Sequence, residues 1–298
     1  MSTVATLAAA AEGERSKPGY VDFVSGWSAG CIETIVLYPQ NKVIFRQQLH
    51  GLMIKDALLQ LKTEGMPLLY RGLLPPLLMR TTTRSIMFGM FEKYQHILDC
   101  GSEGVSPKWK HFSLCHAQAA FLAGFSEALL CPLERLQVLL QTSAHHSRFK
   151  NTHGAFQAVY SHGIREFYRG FSLVIFRNGF SNTLFFTLRD PLKHEIIEHV
   201  PRGTEWTFVH LIAEFTSGAV LGACISTLFF PVNVVKTRMQ AALGTPYESP
   251  ATVFRIVWRE RNRSLKELFR GVQLNFTRSL LAWGITNTAF ECIKRIFE

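Results

Sequence analysis

Three stretches decide how this chain is read: PQNKVIFRQQ at 39–48, PLERLQVLLQ at 132–141 and PVNVVKTRMQ at 231–240. Each opens on a proline, Pro39, Pro132 or Pro231, and ends on a glutamine, Gln48, Gln141 or Gln240. They recur at intervals of about 95 residues. A second landmark follows each of them: Tyr70-Arg71-Gly72, Tyr168-Arg169-Gly170 and Phe269-Arg270-Gly271. Further on, in constant register, stand the acids Glu92, Asp190 and Glu291, and one helical turn later Gln95, Lys193 and Lys294. Three landmarks recurring three times in one register define one unit used three times.

The apolar segments fit between these landmarks. Residues 215–235 carry no charge over 21 residues, enough for a helix to cross a hydrocarbon core about 30 Å thick. Segments 23–45, 73–91, 112–140, 171–188 and 272–290 are similar but carry charges in mid-segment. Charges at membrane depth are costly and face water or a partner, so six amphipathic spans predict a bundle around an aqueous path. Gly26-xxx-Gly30, Ala119-xxx-Ala123 and Gly218-xxx-Gly222 offer small-residue faces for helix packing.

Composition narrows the function. The 298 residues are 47% apolar and 18% charged, which excludes a disordered chain. The net charge of +10 suits anionic solutes or membranes, but the basic residues are scattered. Without a basic stripe, no nucleic-acid surface is expected. The six cysteines show no CxxC spacing and read neither as a metal site nor as a disulfide framework. Residues 1–19 hold an Ala-rich patch without a secretory cleavage pattern and read as a disordered tail. GxSxG, HExxH, P-loop and dinucleotide-fingerprint motifs are absent, so no enzyme and no cofactor are expected.

From about residue 20 to the end, these motifs resemble the mitochondrial carrier family. Its signatures are Px[DE]xx[KR], an acid-Gly pair leading to aromatic-[KR]-Gly, and aromatic-[DE]xx[KR]. The resemblance implies an all-α membrane protein of the inner mitochondrial membrane. Six transmembrane helices would form three pseudo-threefold repeats, at 20–100, 110–200 and 207–298, each with a short matrix helix. It also implies a monomer in contact with inner-membrane lipid, cardiolipin included. The first motif departs from the pattern: its acid and base positions hold Asn41 and Ile44, Glu134 and Gln137, then Asn233 and Lys236. Glu64-Gly65 is kept, His162-Gly163 replaces the second acid-Gly pair, and the third is missing.

Proline kinks would let the three odd-numbered spans converge. In the family, the acid of one repeat meets the base of the next. Carried over, Glu134 pairs with Lys236, Asn41 faces Gln137 and Ile44 faces Asn233, forming a matrix gate. Gln48, Gln141 and Gln240 would brace it from one turn below. Glu92, Gln95, Asp190, Lys193, Glu291 and Lys294 would form the cytoplasmic gate.

The family's solute contacts fall midway, seven and eight residues after each aromatic-Arg-Gly: Met79-Arg80, Arg177-Asn178 and Arg278-Ser279. Five residues before each proline stand Thr34, Glu127 and Ser226. Arginine binds two phosphate oxygens with one planar fork, so three of them suit a diphosphate or a di-anionic carboxylate. Glu127 suits a positive group on the same solute. A diphosphate with a cationic ring, as in NAD+, has both; coenzyme A or a nucleotide with an amine would also fit. The stretches FRQQLHG (45–51), LYRGLLPPLL (69–78), PLERLQVLLQ (132–141), FRNGFSN (176–182) and FFPVNVVKTR (229–238) resemble, more narrowly, the branch of the family that carries NAD+. Import of NAD+ into the matrix by alternating access is therefore expected. The alternatives are another nucleotide-type solute, or an adaptor on the same fold that transports nothing.

Overall fold

The computed structural model describes residues 19–65, 69–101, 113–142, 145, 151–199 and 206–296. The expected tail over 1–19 lies outside them except for Gly19. Among the described residues there are helices, turns and no strand.

Six long rods follow in order. The first is α1 (Gly19–His50), and a short α2 (Ile54–Glu64) leads to the second, α3 (Leu74–Ile97). The third is α4 (Leu114–Ala128) continued by α5 (Cys131–Gln141). A short α6 (Thr152–Tyr160) and a 3₁₀ turn (Ile164–Tyr168) lead to the fourth, α7 (Phe171–Glu198). The fifth is α8 (Trp206–Leu228) continued by α9 (Phe230–Ala241). The short α10 (Pro250–Glu260) and α11 (Leu265–Leu268) lead to the sixth, α12 (Val272–Ile296). At 24 to 28 residues, α3, α7 and α12 reach about 36–42 Å, longer than a hydrocarbon core. Each rod packs on the next, and α12 packs back on α1, so the ring closes around a bore.

Among the described residues no single helix is long and apolar enough to cross a membrane by composition alone. The two bent pairs pass that test together, with bends of 55° after Ala128 and 62° after Leu228. The rods carry charges within their length, as Glu33, Lys42 and Arg46 do on α1, where all three are buried. Two of the three expected proline breaks are present: Pro132 and Pro231 stand in the first turns of α5 and α9, where a missing N–H costs nothing. Pro39 instead lies inside an uninterrupted α1.

One close rod crossing, between α4 and α7, lies outside the glycine pairs the sequence suggests. A Cβ on Gly30 would meet nothing within 4 Å. A Cβ on Gly124 of α4 would come within 2.6 Å of the Asn178 and Gly179 backbone of α7. One on Gly179 would strike the Phe121 ring at 2.5 Å. Overpacking of this kind costs about 1–3 kcal/mol or more when backbone must move. Gly124→Ala is expected to lower the thermal melting temperature of the purified protein. An unchanged melting temperature would show that the two rods can part at this point without loss.

One cysteine expectation is corrected. Cys100, after α3, and Cys115, on the first turn of α4, are disulfide-bonded, with Cα atoms 5.6 Å apart. The pair joins two repeats, so no short-range spacing such as CxxC announces it. Cys31, Cys131, Cys224 and Cys292 are free thiols, and no group of metal-ligating side chains occurs among the described residues.

The second landmark holds the repeats together at the end that carries the short helices. Gly72, Gly170 and Gly271 have φ of 82°, 83° and 102°, a region that favours glycine. Each turn brings its arginine onto the following repeat. Arg71 Nη2 donates to the His145 carbonyl at 3.4 Å. Arg169 donates to the carbonyls of Thr245 and Pro246, each at 2.8 Å. Arg270 Nη1 donates to the Gly51 carbonyl at 2.7 Å. The cycle runs from repeat one to two, two to three and three to one. In repeat three, Asn262 and Arg263 take positive φ where the first two repeats use Gly65 and Gly163.

Candidate functional site

All six rods contribute to one cavity of about 400 Å³ inside the ring. That volume lies in the range of small-molecule sites. Its floor is the first landmark. Asn41, Glu134 and Asn233 line it, as do Ile44, Gln137 and Lys236. Lys236 Nζ donates to Glu134 Oε1 in an ion pair that joins α9 to α5. The ammonium side chain is only 8% exposed, so a partner is required.

The three glutamines do different work. Gln240 Nε2 donates to Glu134 Oε2 at 3.4 Å and so supports the pair as expected. Gln48 accepts from Thr237 Oγ1 at 3.3 Å, which also bridges two repeats. Gln141 donates to the Tyr38 hydroxyl at 3.1 Å rather than to another gate side chain. Among the described residues no hydrogen bond joins Asn41 to Gln137. Ile44 is buried against Phe230, Val234 and Val235. The floor thus holds one ionic pair within a mostly amide and apolar contact.

Above the floor, Met79, Glu127, Arg177, Asn178 and Arg278 line the cavity at the level the repeat register gives. Arg177 Nη1 donates to Asn178 Oδ1 at 2.8 Å, and Arg278 Nη2 to Ser279 Oγ at 3.5 Å. The Nε of Arg177 is buried and has no hydrogen-bond partner among the described residues. Glu127 Oε2 accepts from Asn182 Nδ2 at 3.2 Å, so its carboxylate is oriented by α7. With Glu134 and Lys236 paired, the wall presents two guanidinium groups and one carboxylate among the described residues.

Three expected site residues lie elsewhere. Thr34 is fully buried and its hydroxyl donates back to the Gly30 carbonyl at 2.7 Å. Ser279 does the same with the Asn275 carbonyl at 2.9 Å. Ser226 accepts from Asn275 Nδ2 at 2.5 Å. Each satisfies its hydroxyl within or between rods, so none lines the cavity. Arg80 lies on α3, but its side chain is outside the described residues. So are the side chains of Glu291 and Lys294 on α12, two members of the expected cytoplasmic gate. Of the other four, Glu92 is exposed on α3, Gln95 half-buried, and Asp190 and Lys193 half-buried on α7.

The sequence reading missed two layers of the wall. Pro76, Val174 and Asn275 line the cavity, each four residues after the glycine of the second landmark. Phe45, Val138 and Thr237 line it too, each six residues after the proline of the first. The same register, shifted by one helical turn or one residue, was the signal that could have found them.

The ring of six rods, the short helices at one end and the ion-paired floor define a solute carrier. The chain belongs to the mitochondrial carrier protein family, whose sequence model matches residues 15–101, 108–200 and 208–298. It is a multi-pass transporter of the inner mitochondrial membrane, not an enzyme. Over 278 residues it is 45% identical to the human mitochondrial nicotinamide adenine dinucleotide transporter SLC25A51, covering 92% of this chain and 89% of that protein. It is 46% identical to the human transporter of the same description, SLC25A52, over 90% of this chain and 87% of that protein. It is also 30% identical to human solute carrier family 25 member 53, over 92% and 87%.

Proposed function

We propose that this carrier moves NAD+ into the mitochondrial matrix by alternating access. The observation that carries the reading is the wall charge: Arg177 and Arg278 with Glu127 in one cavity, above a floor closed by Glu134 and Lys236. The two guanidinium groups, from the second and third repeats, are joined by Arg80 of the first repeat to receive the diphosphate. Charge-assisted hydrogen bonds of this kind contribute about 1.5–3 kcal/mol each. Glu127 sits where the cationic nicotinamide ring can meet it. The relatives named as nicotinamide adenine dinucleotide transporters, at 45% and 46% identity over nearly the whole chain, support the same cargo.

Entry of solute would be followed by opening of the Glu134–Lys236 floor and closure at the far end. There Glu92, Gln95, Asp190, Lys193, Glu291 and Lys294 form the opposing gate. Because the ring closes on itself and holds its own bore, one copy suffices. Apolar side chains exposed on the rods, such as Trp27, Phe125, Phe176 and Leu228, face inner-membrane lipid, cardiolipin among it.

The test of the Glu127 role is selective. Glu127→Gln is expected to lower NAD+ uptake several-fold in reconstituted liposomes. NADH lacks the ring charge and should compete poorly with NAD+ in the wild type. Equal competition by the two would exclude a charge-reading role for Glu127.

A further inference from the structure

A second cavity, of about 430 Å³, lies beyond the closed floor. Its walls begin where the first landmark ends. Leu49, Thr142 and Ala241 line it, and each is the residue next to one of the glutamines Gln48, Gln141 and Gln240. All three repeats therefore frame it, and it continues the line of the central cavity on the side of the short matrix helices.

Its ionisable lining is His50, His145, Arg169, Arg238 and a single acid, Glu248. Three of these are already engaged in part. Arg169 donates to Thr245, Pro246 and Glu166, and His145 Nε2 contacts the Ala241 carbonyl at 2.9 Å. Arg238 pairs with Glu260 at 3.0 Å while remaining 37% exposed. Burial, then the neighbouring guanidinium groups of Arg238, Arg46 and Arg261 against the Glu260 carboxylate, hold His50 at the last turn of α1 below the usual imidazole range, so it offers an N–H donor rather than a charge. Two guanidinium groups against one carboxylate leave the lining with a positive excess directly under the gate, which attracts anions.

We propose that this antechamber is a second binding station for the diphosphate of a nucleotide, reached when the gate opens and used on release into the matrix. The proposal rests on the reading above that the cargo carries a diphosphate. His50 and Arg238 are its principal anion contacts: Arg238 spends one nitrogen on Glu260 yet is 37% exposed, whereas Arg169 is 4% exposed and committed to the chain around Thr245.

The probe is radiolabelled inorganic pyrophosphate, measured by equilibrium dialysis against the purified full-length protein. The wild type is expected to bind in two classes of site. Arg177→Ala, which damages the central site, should retain one class. Adding His50→Gln and Arg238→Gln to Arg177→Ala should weaken that remaining class by about tenfold. Melting curves of each variant establish that it is folded. Absence of residual binding in Arg177→Ala would overturn the proposal, and so would residual binding unchanged in the triple variant. NAD+ uptake by the wild type, measured in parallel, keeps the two readings apart. A protein with two pyrophosphate sites and no NAD+ uptake would refute the cargo and leave the antechamber standing.

Discussion

Replacing Arg177 by Ala is expected to lower initial NAD+ uptake at limiting solute by about tenfold or more, and Arg278→Ala to do the same. Both side chains line the central cavity from different repeats, and Arg177 holds a buried Nε with no hydrogen-bond partner among the described residues. A charge-assisted hydrogen bond is worth about 1.5–3 kcal/mol, and a factor of ten corresponds to about 1.4 kcal/mol. Arg80 stands one position later in its repeat, about 100° further around an ideal helix. Its loss should be milder, and Lys should replace it better than it replaces Arg177 or Arg278. Insertion should survive in all three, because removing a mid-membrane charge lowers the cost of placing the helix. The measurement is uptake by reconstituted single variants, normalised to inserted protein. Near-normal uptake by both Arg177→Ala and Arg278→Ala would place the solute elsewhere and leave these charges only a role in holding the bundle.

Glu134→Gln should disable the floor more severely than removal of both charges. The single change leaves Lys236 buried without its counter-charge, at a cost of about 3–5 kcal/mol to the closed state. That corresponds to more than a hundredfold in the closing equilibrium. Lys236→Gln in the same background removes the orphan charge and should restore part of the uptake. The effect is concentrated here because the equivalent positions hold Asn41 with Gln137 and Ile44 with Asn233, so this is the single ionic contact the floor has. Losses that simply add in the double variant would argue against coupling between the two side chains.

The repeat made much of this protein legible from sequence. The register located the acid and base positions, and the family's pairing of one repeat's acid with the next repeat's base, carried over by resemblance, gave the Glu134–Lys236 contact that the structure holds. The level of Arg177 and Arg278 followed from the same register. Positions read by register alone were less secure where a short hydroxyl side chain had a nearer partner. Thr34 and Ser279 bond back to their own helices, and Ser226 bonds across to Asn275. A threefold sequence pattern does not encode that competition.

Contacts between distant segments were the other blind spot. The arginines of the second landmark were recognised as a motif, but their acceptors are backbone carbonyls of the next repeat, and any residue supplies those. The Gly124–Gly179 crossing depends on how two rods meet, not on a local small-xxx-small pattern. The Cys100–Cys115 bridge needed the start of α4 to be brought beside the end of α3. In each case the residue types were visible while their partners were set by the closed ring.

The most direct measurement is uptake of labelled NAD+ into liposomes containing the purified protein, with unlabelled NAD+, NADH, coenzyme A and adenine nucleotides as competitors. The account expects saturable, protein-dependent uptake that unlabelled NAD+ suppresses most strongly and that the Glu134→Gln variant largely loses. Absence of NAD+ uptake in a preparation that transports coenzyme A or an adenine nucleotide would contradict it.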